Sequence, residues 1–292
     1  MLYYNITLKA FVVASFCWLL SIGEMVSAET GVKPLVVTSI KPLAIIAKSA
    51  LQDRAQVEYL MSPAQSPHDQ VILPSGLKKL ANADLVLWLG PSFEIRAAKT
   101  FQAQPKTKLI TALQLVNVDN SDSSEQSHSD HHHFDQDPHI WLSPQRAEII
   151  AQQLQKQLNM PIKKIFQDSQ RETIETLLAP VRELNYLSHH DAMGYFVDEF
   201  GLQGSLAIRD GLGNQQGAKS QYQLRSNAQQ LSAYCVFVEP QHGHKDAMVM
   251  AESLKVPLIP MDLLASTQQG ELISYGSYML GLARQFAACF DK

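Results

Sequence analysis

The stretch Asp84-Leu-Val-Leu-Trp-Leu89 decides the fold class. Its unbroken apolar run is bounded at Gly90-Pro91 and lacks polar alternation, which predicts a strand buried on both faces. Strands of that kind belong to parallel sheets with helices on either side. Working outward, residues 35–39 (LVVTS) and 57–61 read as strands, and residues 42–51 and 75–81 as helices. Lys108 to Thr111 reads as a further strand. Strand and helix alternate, so the chain is expected to be α/β with a mainly parallel sheet.

The alternation lapses and then resumes. Ser143-Pro144 offers a capping hydroxyl and a first-turn proline, and Ala147, Ile150, Ala151, Leu154 and Leu158 follow at helical spacing. Pro161 is expected to end that helix and open another of about eighteen residues. Its apolar face would be Ile162, Ile165, Phe166, Ile174, Leu177 and Leu178. Beyond Pro180, residues 184–187, 234–238 and 256–261 read as strands and 273–289 as a closing helix. The expected organisation is two α/β lobes, 29–143 and 181–292, joined by helices within 144–180.

Composition sets the compartment and the partners. The 292 residues carry 24 Lys+Arg against 28 Asp+Glu, and 46% of them are hydrophobic. That excludes a disordered chain and gives no net positive field for a nucleic-acid partner. Residues 1–28 read as a secretory signal: Lys9 precedes the apolar run 11–22, and Val26-Ser27-Ala28 supplies small residues for cleavage. The run is too short to span a bilayer core of about 30 Å. Cys17 would leave with the signal, so the mature chain would start near Glu29 and be exported. Cys235 and Cys289 then remain as a pair in an oxidising compartment, which favours a disulfide.

Ten histidines against three cysteines is the unusual ratio. Residues 119–137 are almost wholly Ser, Asp, Glu, Gln and His, a composition expected to stay disordered. Within them His128, His131, His132 and His133 form a weak, exchangeable metal-binding loop. Three other histidines fall at ligand-site positions. His68 follows the strand at 57–61, His190 follows 184–187, and His139 lies where the polar loop rejoins the body. Asp262 follows 256–261, and open α/β sheets place ligands beyond the carboxyl ends of strands. Three imidazoles with one carboxylate or a water suit tetrahedral Zn2+. The pair His242-Gly-His244 reads as surface residues, and His189 is expected to face away from His190 if the strand continues through both. The glycines of 211–217 have the wrong spacing for a dinucleotide fingerprint.

The chain resembles the periplasmic metal-binding receptors that feed ABC importers, within them the zinc-uptake, ZnuA-type branch. The likeness rests on Ser66-Pro-His-Asp69, Asp84 to Gly90, the His-rich acidic loop, His139-Ile-Trp-Leu-Ser-Pro144, His190-Asp-Ala-Met-Gly-Tyr-Phe196, Val236-Phe-Val-Glu-Pro240 and Ala287-Ala-Cys-Phe290. It implies two lobes bridged by a rigid helix, with one metal between them. His68, His139 and His190 would be ligands, and Asp262 stands where manganese-binding relatives supply a carboxylate. Those relatives carry Glu at the position of His190; imidazole suits zinc better. The interval from His139 to His190 is shorter than the family's, which implies a bridging helix that has lost turns.

The expected function is therefore a non-enzymatic, monomeric zinc receptor of the periplasm that serves an ABC importer permease. The rivals are a secreted zinc metallohydrolase with Asp262, Asp69 or Glu239 as general base, a manganese-type receptor, and a zinc buffer or adhesin of the same fold. No HExxH or comparable catalytic pattern supports the hydrolase.

Overall fold

The computed structural model describes residues 32–118 and 137–291. The expected signal segment at 1–28 and the histidines at 128 and 131–133 lie outside the described residues. From Lys33 onward the chain forms one compact unit. Among the described residues no helix is long and apolar enough to cross a membrane.

Two four-stranded sheets organise the chain. The first contains β1 (Leu35–Thr38), β2 (Gln56–Tyr59), β3 (Leu85–Trp88) and β4 (Leu109–Thr111), in spatial order β2-β1-β3-β4 with every pair parallel. The second contains β5 (Leu187–His190), β6 (Leu206–Arg209), β7 (Val236–Val238) and β8 (Leu258–Pro260), in order β6-β5-β7-β8, again all parallel. The two sheets share one topology. In each, the chain steps to one side of the first strand and then to the other, which opens a crevice at the carboxyl ends. β3 is the apolar run at 84–89, and all four of its residues are buried, as its composition requires.

The helices follow the strands. α1 (Lys41–Leu51), α2 (Pro74–Asn82), α3 (Ala98–Gln102) and α4 (Ala112–Val118) belong with the first sheet. α5 (Pro144–Gln157) and α6 (Asp168–Leu178) carry the chain between sheets, α5 against α1 and α4, α6 against the closing helix. α7 (Gly194–Phe200), α8 (Ala218–Gln230), α9 (Lys245–Leu254) and α10 (Tyr275–Ala287) complete the chain. Ser143 Oγ accepts from Arg146 N and caps α5, as its sequence signature requires.

Two boundaries depart from expectation by more than two residues. The helix anticipated from Pro161 begins at Asp168, where Gln167 and Gln170 cap each other reciprocally. Side chains of α5 explain the difference. Glu148 Oε1 accepts from Ile165 N and Phe166 N, and Gln155 bonds both to Lys163 and to Ala50 O, so the segment is held in non-helical form. The strand anticipated at 184–187 is instead Leu187–His190, registered from Leu187↔Leu206 to His190↔Arg209. It continues through both histidines, and successive side chains therefore take opposite faces.

A buried polar seam ties the two halves of this unit together. Trp141 Nε1 donates to Leu263 O (3.1 Å), Tyr278 OH donates to the same carbonyl, and Tyr275 OH donates to Trp141 O. Lys41 Nζ, on α1, donates to Ala265 O and Gln268 O. One apolar core runs across this seam, and a smaller one lies against the second sheet. Cys235 and Cys289 form a disulfide that joins the residue before β7 to the end of α10. Closing a loop of 54 residues stabilises by about 4 kcal/mol on the chain-entropy model.

Candidate metal centre

Three imidazoles from distant parts of the chain meet at one point. His68, His139 and His190 each offer a ligand atom within 4.8 Å of the others. Their ring centroids are 5.9 Å apart for His68 and His139, 5.7 Å for His68 and His190, and 5.0 Å for His139 and His190. All three are buried.

Each ring is set by its local structure. His68 rides on the loop after β2, which Gln70 staples: its amide donates to Ser62 O and Gln65 O and accepts from Ser62 N. The ring lies 4.4 Å from Phe93, and its Nδ1 is buried with no hydrogen-bond partner among the described residues. His139 opens the short 3-10 turn Ile140–Leu142. Its Nδ1 donates to Asp137 Oδ1 at 2.7 Å and its backbone N to the same oxygen at 2.9 Å, which leaves Nε2 as the nitrogen with an idle lone pair. His190 ends β5; Nδ1 donates to Glu239 Oε1 at 2.7 Å and Nε2 to Gly211 O at 3.0 Å. Phe93 and Trp141 form an apolar wall behind His139, at 6.0 and 5.2 Å.

Electrostatics follow from that packing. Burial, reinforced by the two neighbouring imidazoles, takes the pKa of His68 down to about 2. Burial also opposes charge on His190, but the Glu239 carboxylate outweighs it and the His190 pKa is raised. Glu239 is depressed to about 2: burial works against its charge, and His190 overrides that. The site thus keeps His68 neutral at every physiological pH and holds one carboxylate behind His190.

Asp262 is not brought into this group. Its Oδ1 accepts from Ser266 N and Oγ, and its Oδ2 from Thr267 N and Oγ1, at 2.6–2.8 Å. Four donors occupy both oxygens, and Asp262 closes its own loop. The reverse holds for His242, expected on the surface. It is half-buried, its ring lies 5.3 Å from that of His190, and with His190 and Glu239 it forms a second group of potential ligands. Burial lowers the His242 pKa to about 4. Glu239 and His242 also lie just beyond a strand, β7, so the strand-end criterion that singled out His190 reaches them equally. His189 faces away from His190 as anticipated, donating Nε2 to Asp246 Oδ1 at 2.9 Å.

Relatives similar over nearly the whole chain carry zinc-uptake names. The chain matches the family model described as "Zinc-uptake complex component A periplasmic" over residues 36–289. It is 31% identical to the high-affinity zinc uptake system protein ZnuA of Yersinia pestis, covering 99% of both chains. A crystal structure of ZnuA superposes with a TM-score of 0.69 at 20% identity, over 89% of this chain and all of that one. The periplasmic zinc-binding protein TroA from Treponema pallidum gives 0.72 at 19%, with the same coverage. The likeness spans both sheets and the helices between them, and the chain belongs to the ZnuA family.

Proposed function

We propose that this protein is an exported zinc receptor in which His68, His139 and His190 hold one Zn2+ and pass it to the membrane permease of an ABC importer. The observation that carries the reading is the convergence of three buried imidazoles with a lone pair to spare at His68 and His139. Neutral nitrogen donors prefer zinc to manganese. Carboxylates behind His139 and His190 orient the rings, as partners of zinc-bound imidazoles do. A water completes the tetrahedron, since both oxygens of Asp262 are committed to its loop.

The segment 1–28 sends the chain to the periplasm, where it acts as a monomer without catalysing a reaction. Two of the three candidate bases of a hydrolase are committed elsewhere: Asp262 is held by four donors, and Glu239 by His190 and Gln241. The lobes 29–143 and 181–292 each bring ligands, His68 and His139 from the first and His190 from the second, with 144–180 between. Family relatives with zinc-uptake names support the cargo. Isothermal titration tests it: one tight zinc site, lost when His68 and His139 are both changed to Ala, is the expected result. Undiminished zinc affinity in that variant overturns it.

A further inference from the structure

His190 belongs to two ligand groups at once. On one side stand His68 and His139, all buried; on the other stand Glu239 and His242, the latter half-buried and open to solvent. His242 sits in the segment between β7 and α9, facing Gly213 across the crevice; its Cε1 would lie 3.7 Å from a Cβ placed there. The same segment is braced from below. His244 Nε2 donates to Glu239 O at 2.9 Å, and Gln241 Nε2 to Glu239 Oε2 at 2.5 Å.

A second observation points to a ligand here. His189 is 1% exposed, its Nδ1 is buried without a hydrogen-bond partner among the described residues, and its ring lies 5.9 Å from His242 and 6.2 Å from His244. Its other nitrogen is fixed by Asp246, which Arg209 Nε in turn holds at 2.7 Å. A carboxylate behind an imidazole whose second nitrogen is idle is the arrangement of a metal ligand. His242 thus lies near both His189 and His190, which take opposite faces of β5.

We propose that His190, Glu239 and His242 form a second, outward zinc position, with His189 beside it, and that an ion steps between this position and the inner one by exchanging His242 and Glu239 for His68 and His139. The inference rests on the zinc-receptor reading and extends it. Two nitrogens, one carboxylate oxygen and a water make a tetrahedral zinc site. Because His190 serves both positions, filling one weakens the other, and the outer one presents the ion to solvent through His242. Zinc gains a route that never leaves it without a protein ligand.

The test uses the full chain with His128, His131, His132 and His133 changed to Ala, so that the polar loop contributes nothing. In that background His68→Ala/His139→Ala removes the inner position and leaves the outer one. Titration with Zn2+ against a chelating dye should still find one equivalent, at least tenfold weaker than the parent, and Zn2+ should raise the melting temperature of this variant. Adding His242→Ala should abolish both signals, while the melting transition itself shows that the chain is folded. Cobalt substituted for zinc gives an independent check: its visible absorption should mark a four-coordinate site in the double variant and vanish in the triple. A double variant that is folded and binds no zinc, or a site unaffected by His242→Ala, overturns the outer position and leaves the inner one standing. Parent-like affinity in the double variant, lost with His242→Ala, supports the outer position and instead overturns the inner one.

Discussion

Two loops follow the edge strands β2 and β8, and they treat their polar residue in opposite ways. The loop after β2 carries His68 into the interior and leaves its Nδ1 without a hydrogen-bond partner among the described residues. The loop after β8 carries Asp262 inward and gives it four donors from Ser266 and Thr267. Burying a polar atom without a hydrogen bond costs about 1–3 kcal/mol, so the first arrangement is unfavourable for the chain alone. The second is self-sufficient. Between these two loops, an idle nitrogen rather than strand position separates the candidate ligand from the structural anchor.

The largest expected effect comes from breaking the first loop. His68→Ala should lower zinc affinity on the order of 10³-fold, about 4 kcal/mol, in a calorimetric titration. Its unfolding free energy in chelator should change little, since the imidazole it removes is not hydrogen-bonded at Nδ1. A variant that unfolds early and binds zinc as before would reverse the contrast.

Breaking the second loop should do the opposite. Asp262→Ala strands two backbone N–H groups and two hydroxyls and removes the carboxylate that favours charge on buried Lys41. A loss of about 2–3 kcal/mol in urea denaturation is expected. Zinc affinity should stay within about threefold. A large loss of affinity at unchanged stability would return Asp262 to the ligand set.

The contrast also explains what could be foreseen. β3 was legible because a strand buried on both faces must be apolar throughout. The three histidines were legible because they stand beside strand ends or the rim of the polar loop. α8 was not: only Leu224 and Ala228 of its thirteen residues are buried, which leaves almost no apolar period to detect. β6 is an edge strand, and three of its four residues are half-buried. The Pro161 segment misled because side chains of α5 hold it open, a tertiary effect no local pattern carries. Asp262 met the same strand-end criterion as His190, yet whether its oxygens are idle depends on how Ser266 and Thr267 fold back. His242 also met that criterion, beyond β7, but its place in a loop after Pro240 reads as surface, and only the fold brings its ring to 5.3 Å from that of His190.

A third test sharpens the comparison through pH. Both nitrogens of His190 face acceptors, Glu239 and Gly211 O, and its pKa is raised by the Glu239 carboxylate despite burial. Zinc must displace a proton from it. His68 and Glu239, both depressed to about 2, stay ready to bind and to orient. Affinity should therefore be constant at high pH and begin to fall while pH is still above 6.5, by about tenfold per unit below the His190 pKa. Titrations in buffers of different ionisation enthalpy should report about one proton released per zinc in that range. Glu239→Gln should move the onset of the fall to lower pH, because it removes the charge that holds the proton. An onset that does not move would mean another group controls it.

The smallest effect should come from the residue that combines both behaviours. Asp137 accepts from the backbone N of His139 and from its ring Nδ1, so one carboxylate oxygen both closes a turn and aims a ligand. Asp137→Asn keeps an oxygen for the turn but removes the carboxylate charge that faces His139 Nδ1. About a tenfold loss of zinc affinity is expected, the lower end for a group behind a metal-bound imidazole, with little change in melting temperature. Asp262→Asn, made beside it, should show the reverse pattern: a lower melting temperature and near-parent affinity. Both substitutions remove one buried or half-buried carboxylate charge, so a difference between them isolates what each oxygen faces. If the two variants behave alike, charge alone governs this crevice and the distinction between ligand support and loop closure fails.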